Sequence, residues 1–305
     1  MHEGKSKAII AAFAANLGIA AAKLICFAFT GAASMLAEAV HSLADCGNQG
    51  LLILGTARAK RGPTPEHPFG HGPERYFWAF VVAVVLFAVG GVFAVFEGVE
   101  KIRHPHPLDS PWLAVAVLGL GVMLESWSLR TALREVRALH GAGSLVRFIR
   151  TTKAAELPVI LLEDLAALAG LSLALSAVGL TMLTGDERLD GLGSVAIGLL
   201  LSLVSFVLAS KMRSLLIGES ASLATLTEIR EAVLQGQRLR RIIHLRTVHL
   251  SPDELLIAVK VEFDPAISFA ELAQEIDLVE QRVRARLAQS CVIYIEPDVW
   301  HAADA

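Results

Sequence analysis

The sequence predicts an α-helical membrane protein in which a six-helix transmembrane bundle is followed by a small cytosolic α+β domain. Three observations carry this. The chain is 54% hydrophobic and only 19% charged, with a mean hydropathy of +0.56 over 305 residues. Its apolar residues fall into six stretches near the ~20 residues that cross a bilayer as a helix. All six lie in the first two thirds, and beyond Ser210 the composition becomes mixed and polar.

The spans are expected at about 8–30, 34–57, 77–96, 111–129, 157–183 and 189–209. Few residues precede the first and no small-residue cleavage site follows it, so it reads as a retained span and not a signal peptide. The second is the least apolar, because it carries Glu38, His41, Asp45, Asn48 and Gln49. Orientation follows from basic residues in the short loops. One side holds Lys5, Lys7, Arg58, Lys60, Arg61, Arg75, Arg130, Arg134, Arg137, Arg147, Arg150, Lys153, Lys211 and Arg213, and the other only Lys101, Arg103 and Arg188. Both termini are therefore expected in the cytoplasm, with the chain multi-pass in the cell (inner) membrane. A net charge of −3 gives no footprint for nucleic acid. Cys26, Cys46 and Cys291 show no CxxC spacing and build no disulfide framework.

The division falls at 1–215 and 216–305. In the second part Thr225–Glu228 and Ser268–Glu271 have the spacing of capping boxes. Ile242–His249 and Leu255–Phe263 read as strands joined by a turn at 251–254, and Val292–Ile295 as a third. The order α-β-β-α-β is that of a small ferredoxin-like or metallochaperone-like sandwich. At under 90 residues such a module buries little core, which favours dimerisation.

Ionisable groups at membrane depth cost a few kcal/mol each and call for an explanation. His41 and Asp45 are four apart, so both lie on one face of the second span. An imidazole and a carboxylate so placed are ligands for a first-row divalent cation, zinc in particular; the alternative is a structural His–Asp pair. Gln49 extends the stripe by a turn. In the fifth span Glu163 and Asp164 are adjacent and point about 100° apart, so one faces span 2 while the other faces a cleft or a partner subunit. Solvation at the cytosolic end, near Pro158, is the bland alternative. Lys23, Glu38, Glu125 and Asp190 read as internal ion pairs, and Asn16 and Asn48 as interhelical hydrogen-bonders. Between spans 2 and 3, Glu66, His67 and His71 could hold a metal at the cytosolic mouth, or the Pro- and Gly-rich stretch could simply require a rigid turn. His244 and His249, five apart on a strand, belong to opposite faces.

The segment Ala33–Asp45, followed by His67-Pro68-Phe69-Gly70-His71-Gly72-Pro73-Glu74, resembles the cation diffusion facilitator family. The run His41–Gln49 together with Glu163-Asp164 is most similar to the branch containing the mitochondrial zinc exporter, here as a bacterial-type member. The resemblance implies a homodimeric exporter that exchanges a cytosolic divalent cation, usually zinc, for protons. It uses no separate cofactor; the metal is cargo. It also implies a transport site joining two pairs, each four apart, on spans 2 and 5. His41 and Asp45 match the first pair and Asp164 the last member of the second. The remaining position is Ile160 here, leaving Glu163 or Gln49 to complete the set. The family's loop site matches at His67 and His71, with Thr64 where many members carry an acid, and the second strand of the tail offers Lys260 in place of a ligand. Within that family manganese, cobalt and iron(II) are the alternative cargoes. From other classes, a non-transporting membrane assembly protein and an intramembrane hydrolase compete; no HExxH motif supports the latter.

Overall fold

The computed structural model describes residues 17–108, 110–140, 144–236 and 238–301. The start of the first expected span, with Lys5, Lys7 and Asn16, lies outside them. Helices α1 (Leu17–Thr30), α2 (Ala33–Ala59), α3 (Glu74–Arg103), α4 (Pro111–His140), the short α5 (Leu145–Thr151), α6 (Glu156–Thr184) and α7 (Arg188–Ile217) come first. Then follow α8 (Leu223–Leu234), β1 (Leu239–Ser251), β2 (Glu254–Phe263), α9 (Phe269–Arg286) and β3 (Ser290–Asp298). The chain divides into two compact units, Met1–Ala57 with Phe77–Arg213, and Arg58–Tyr76 with Ser214–Ala305.

In the first unit α3, α6 and α7, and α4 through Thr131, are long and apolar enough to cross a membrane. The helix α2 has the length, at 27 residues, but its polar stripe lowers its hydropathy. The helices overrun the apolar stretches from which they were predicted, because helical hydrogen bonding continues past the last apolar residue.

Small residues let α3 and α7 approach until their backbones touch. A Cβ added at Gly98 would lie 2.5 Å from the Gly191 carbonyl oxygen, and one at Gly198 would lie 2.6 Å from that of Gly91. Ser194 donates to the Ala94 carbonyl at 2.9 Å across the same seam. With no hydrophobic force between helices in lipid, such close packing is what holds them. Within α3 the segment Leu86–Val92 widens into a π turn containing Gly90 and Gly91, which re-registers the glycine face against α7. A second cluster joins α4, α5 and α6 through Leu129, Val136, Phe148 and Leu161.

The chain reverses between α1 and α2 at Gly31, whose φ of +63° suits only a residue without a side chain. The N-terminus of α2 is capped from afar. Asp190 of α7 accepts from the Ala33 amide at 2.7 Å and the Ser34 amide at 3.4 Å, and also from the Ser34 hydroxyl. Asp190 is thus a tertiary N-cap and not the ion-pair member expected. The carboxylate meets the unpaired amides and positive end of the α2 dipole, which stabilise an anion without a cation. Lys23 and Glu38 do pair as expected, at 3.1 Å.

In the second unit, β1 and β2 are antiparallel and β3 runs parallel to β2, in the order β1-β2-β3. Leu255, Ile257, Val259 and Val261 alternate inward from β2 onto Ile229 and Val233 of α8 and Val279 and Val283 of α9. This is the expected α-β-β-α-β order. Ser268 and Glu271 form a reciprocal capping box. The box expected at Thr225–Glu228 does not form. Helix α8 begins three residues earlier, where Ser222, in extended conformation, accepts from the Thr225 amide at 3.1 Å. His244 is exposed and His249 buried, on opposite faces as the spacing predicts. Lys260 is held by Asp298 at 2.6 Å and Glu296 at 3.0 Å. The two carboxylates raise its ammonium pKa to about 12, and the ammonium in turn holds Asp298 below its ordinary range.

Candidate metal transport site

The sequence dictates one polar stripe on an otherwise apolar helix. On α2 the residues Glu38, His41, Asp45 and Asn48 recur every three or four positions, which stacks them along one face. That face is turned inward: Glu38, His41 and Asn48 are buried and Asp45 is half-buried. His41 Nδ1 lies 3.5 Å from Asp45 Oδ1. Neither ring nitrogen of His41 makes a hydrogen bond, and nor does Asp45 Oδ1. Buried polar atoms are nearly always hydrogen-bonded, so these three atoms, buried without a hydrogen bond, set the pair apart from an ordinary helix-surface pair.

The two adjacent acids of α6 part company, as a 100° step requires. Glu163 is buried and accepts from Asn48 Nδ2 at 2.7 Å, one helical turn along α2 from Asp45. Asp164 turns toward α4, where the Ser128 hydroxyl donates to it at 3.1 Å. Glu163 is therefore the member that faces α2. Asp45 interacts electrostatically with both acids, and Glu125 of α4 with Asp45 and Asp164. Glu125 was expected only to pair internally; its distance in sequence from the other acids gave no sign that it shares their surroundings. Gln49 is half-buried on α2, and Ile160, one turn before Asp164, is exposed. Among the described residues no three His, Cys, Asp or Glu side chains are gathered into a ready metal cage. The arrangement is a His–Asp pair on α2 with one carboxylate of α6, Glu163, turned toward that helix and the other, Asp164, turned toward α4.

The loop residues belong to the second unit. Their backbone is a compact turn, with reciprocal Thr64–His67 amide hydrogen bonds at 3.1 Å and a Gly70 amide donating to His67 at 2.9 Å. The rings of His67 and His71 meet edge to face, 4.6 Å between centroids. His71 Nδ1 is 3.3 Å from the Gly62 carbonyl. Glu66 and His67 are exposed and His71 is half-buried. Gly72 rests against β1, where an added Cβ would fall 2.6 Å from the Leu250 carbonyl, and Arg75 pairs with Asp253 at 2.7 Å. These features give the rigid turn a structural reason; the histidine pair is near enough for joint ligation without being enclosed.

Comparison with known proteins bears on both units. Residues 9–217 match the family model described as the cation efflux transmembrane domain, and residues 222–298 the model for the cytoplasmic domain of cation efflux proteins. The mitochondrial proton-coupled zinc antiporter SLC30A9 of Xenopus laevis is 33% identical over 287 residues, covering 92% of this chain and 51% of the antiporter. Its human counterpart is 30% identical, covering 91% and 51%. The zinc transporter ZitB of Escherichia coli is 28% identical over 153 residues, 48% of this chain and 49% of ZitB. The chain thus spans about half the length of these relatives.

Proposed function

The chain is a multi-pass membrane protein of the cation efflux family, and from that premise we propose that it exports a divalent cation, zinc foremost, in exchange for protons. The observation that carries the reading is the buried His41–Asp45 pair, 3.5 Å apart with neither imidazole nitrogen hydrogen-bonded. An unpartnered imidazole beside an unpartnered carboxylate oxygen offers nitrogen and oxygen lone pairs to a first-row dication. The names of the SLC30A9 and ZitB relatives support zinc as cargo, and that of SLC30A9 supports protons as the counter-ion.

The cycle is alternating access around this site. With the cleft open to the cytoplasm, a dication binds neutral His41 and ionised Asp45, and convergence of α6 adds Glu163 and Asp164. With the cleft open to the other side, protons compete for the same lone pairs and the metal leaves, so antiport follows from shared ligands. Gln49 is the reserve ligand on the α2 stripe. The abundance of carboxylate around one imidazole favours manganese, cobalt or iron(II) as the second reading. Homodimerisation through the C-terminal unit is supported by its small core and by its match to the cytoplasmic-domain family model. The loop histidines His67 and His71, with Glu66, are proposed as a cytosolic capture point.

Purified protein in liposomes carrying a pH gradient tests the function. Zinc entry with counter-flow of protons is expected; failure of zinc, manganese, cobalt, iron(II) and cadmium alike to drive proton flux would refute it. Orientation in the cell membrane is tested separately by single cysteines. Impermeant reagent applied outside is expected to label positions near His104 and Asp186, and labelling near Arg147 would invert the topology.

A further inference from the structure

One buried group is left unused by this cycle. Lys23 of α1 is 1% exposed, with its ammonium 3.1 Å from Glu38 Oε2 and 2.7 Å from the Ser42 hydroxyl. Glu38 precedes His41 by three residues and Asp45 by seven, so all three share one helical stripe. Glu38 lies one turn before His41 on that stripe, as Asp45 lies one turn after it. It is 0% exposed, its second oxygen Oε1 has no hydrogen-bond partner, and a Cβ added at Gly170 of α6 would lie only 2.5 Å from that oxygen. The glycine admits the carboxylate between α2 and α6, the two helices that carry the candidate ligands. What separates Glu38 from Asp45 is the tethered cation.

Resting on the transport reading, we infer that Lys23 sets the metal preference of the site by holding Glu38 out of the ligand set. With Glu38 held by the ammonium, the ion meets one imidazole and one carboxylate fewer than the stripe could offer, which moves the set toward zinc. With the ammonium removed, a free carboxylate stands one turn from His41. The site becomes richer in oxygen and higher in coordination number, which favours manganese. Lys23 is in this sense a positioning residue: it touches Glu38 and Ser42 and acts on the metal through them.

The test is competitive uptake of manganese and zinc by proteoliposomes containing the full chain. Relative to wild type, Lys23→Met is expected to raise the manganese-to-zinc ratio about tenfold, the scale on which changes just outside a metal's own ligands act. Adding Glu38→Gln is expected to return the ratio to that of wild type. Lys23→Gln, which keeps a donor for Glu38 and Ser42 but no charge, covers the case in which Lys23→Met does not accumulate, and is expected to shift the ratio in the same direction. If uptake of both metals falls equally in both variants, the pair only holds helices together and the inference is overturned. An unchanged ratio at full activity overturns it as well. Wild-type vesicles that move neither metal would instead refute the transport reading.

Discussion

Replacing Asp45 with alanine is expected to lower zinc transport at least about 100-fold, beyond the effect typical of groups that only support a metal's ligands, while the helical bundle stays folded. Asp45 Oδ1 has no hydrogen-bond donor, and its neighbour on α2 is the imidazole of His41 at 3.5 Å. Removing a carboxylate with so little to hold it relieves a burial cost instead of stranding a counter-charge. Zinc flux into proteoliposomes, read beside thermal unfolding in detergent, separates the two effects. Normal flux would remove Asp45 from the site; a collapsed unfolding temperature would return it to a structural role. His41→Ala is expected to weaken zinc binding and flatten the pH profile of transport. Asp164→Asn should resemble Asp45→Ala. Glu163→Gln is the sharper probe, because the glutamine carbonyl still accepts from Asn48 Nδ2. Loss of transport in that variant assigns a ligand role to the Glu163 charge; full transport leaves the position opposite α2 to Gln49 or water.

The second large effect is expected away from any chemistry. Gly98→Val should destabilise the bundle by about 1–3 kcal/mol or more, the cost of overpacking a tight interface. The first carbon added at Gly98 falls 2.5 Å from the Gly191 oxygen and 2.6 Å from the Val195 nitrogen, and both obstacles are backbone. No rotamer change resolves that clash, so α3 and α7 must move apart. Gly119 and Gly179 have nothing within 4 Å of an added Cβ, so alanine there is expected to leave stability unchanged or raise it slightly through helix propensity. Unfolding temperatures of the three variants in one detergent decide the matter. Equal behaviour would mean that the α3–α7 seam does not carry the bundle.

Much of this was legible in residue order, because the signals involved are local. Apolar runs of span length mark α3, α4, α6 and α7, and the four-residue step from His41 to Asp45 brings the two together. The 100° step between Glu163 and Asp164 foretold that they diverge. Their partners, Asn48 and Ser128, lie 115 and 36 residues away, and spacing carries no information about them. Asp190 was misassigned for the same reason: a lone acid at a span edge looks alike whether it meets an ammonium or a helix end. The start of α8 was misread because Ser222 and Thr225 both suit a cap, and only the backbone shows which one leaves the helix. The glycine seam escaped notice because each glycine looks tolerable alone; its meaning lies in the opposing helix.

The cap on α2 also has a dimension in time. Asp190 follows Ala33 by 157 positions, and a ribosome adding 5–20 residues per second takes roughly 8–30 s to cover that interval. Throughout that period the most polar of the membrane helices has been synthesised but lacks the carboxylate that closes its first turn. Until α7 arrives, the contacts available to its polar face from the preceding helix are those of Lys23 with Glu38 and Ser42. A chain released before residue 190 would carry α2 without this cap. Completion of α7 is in that sense what closes the first turn of α2.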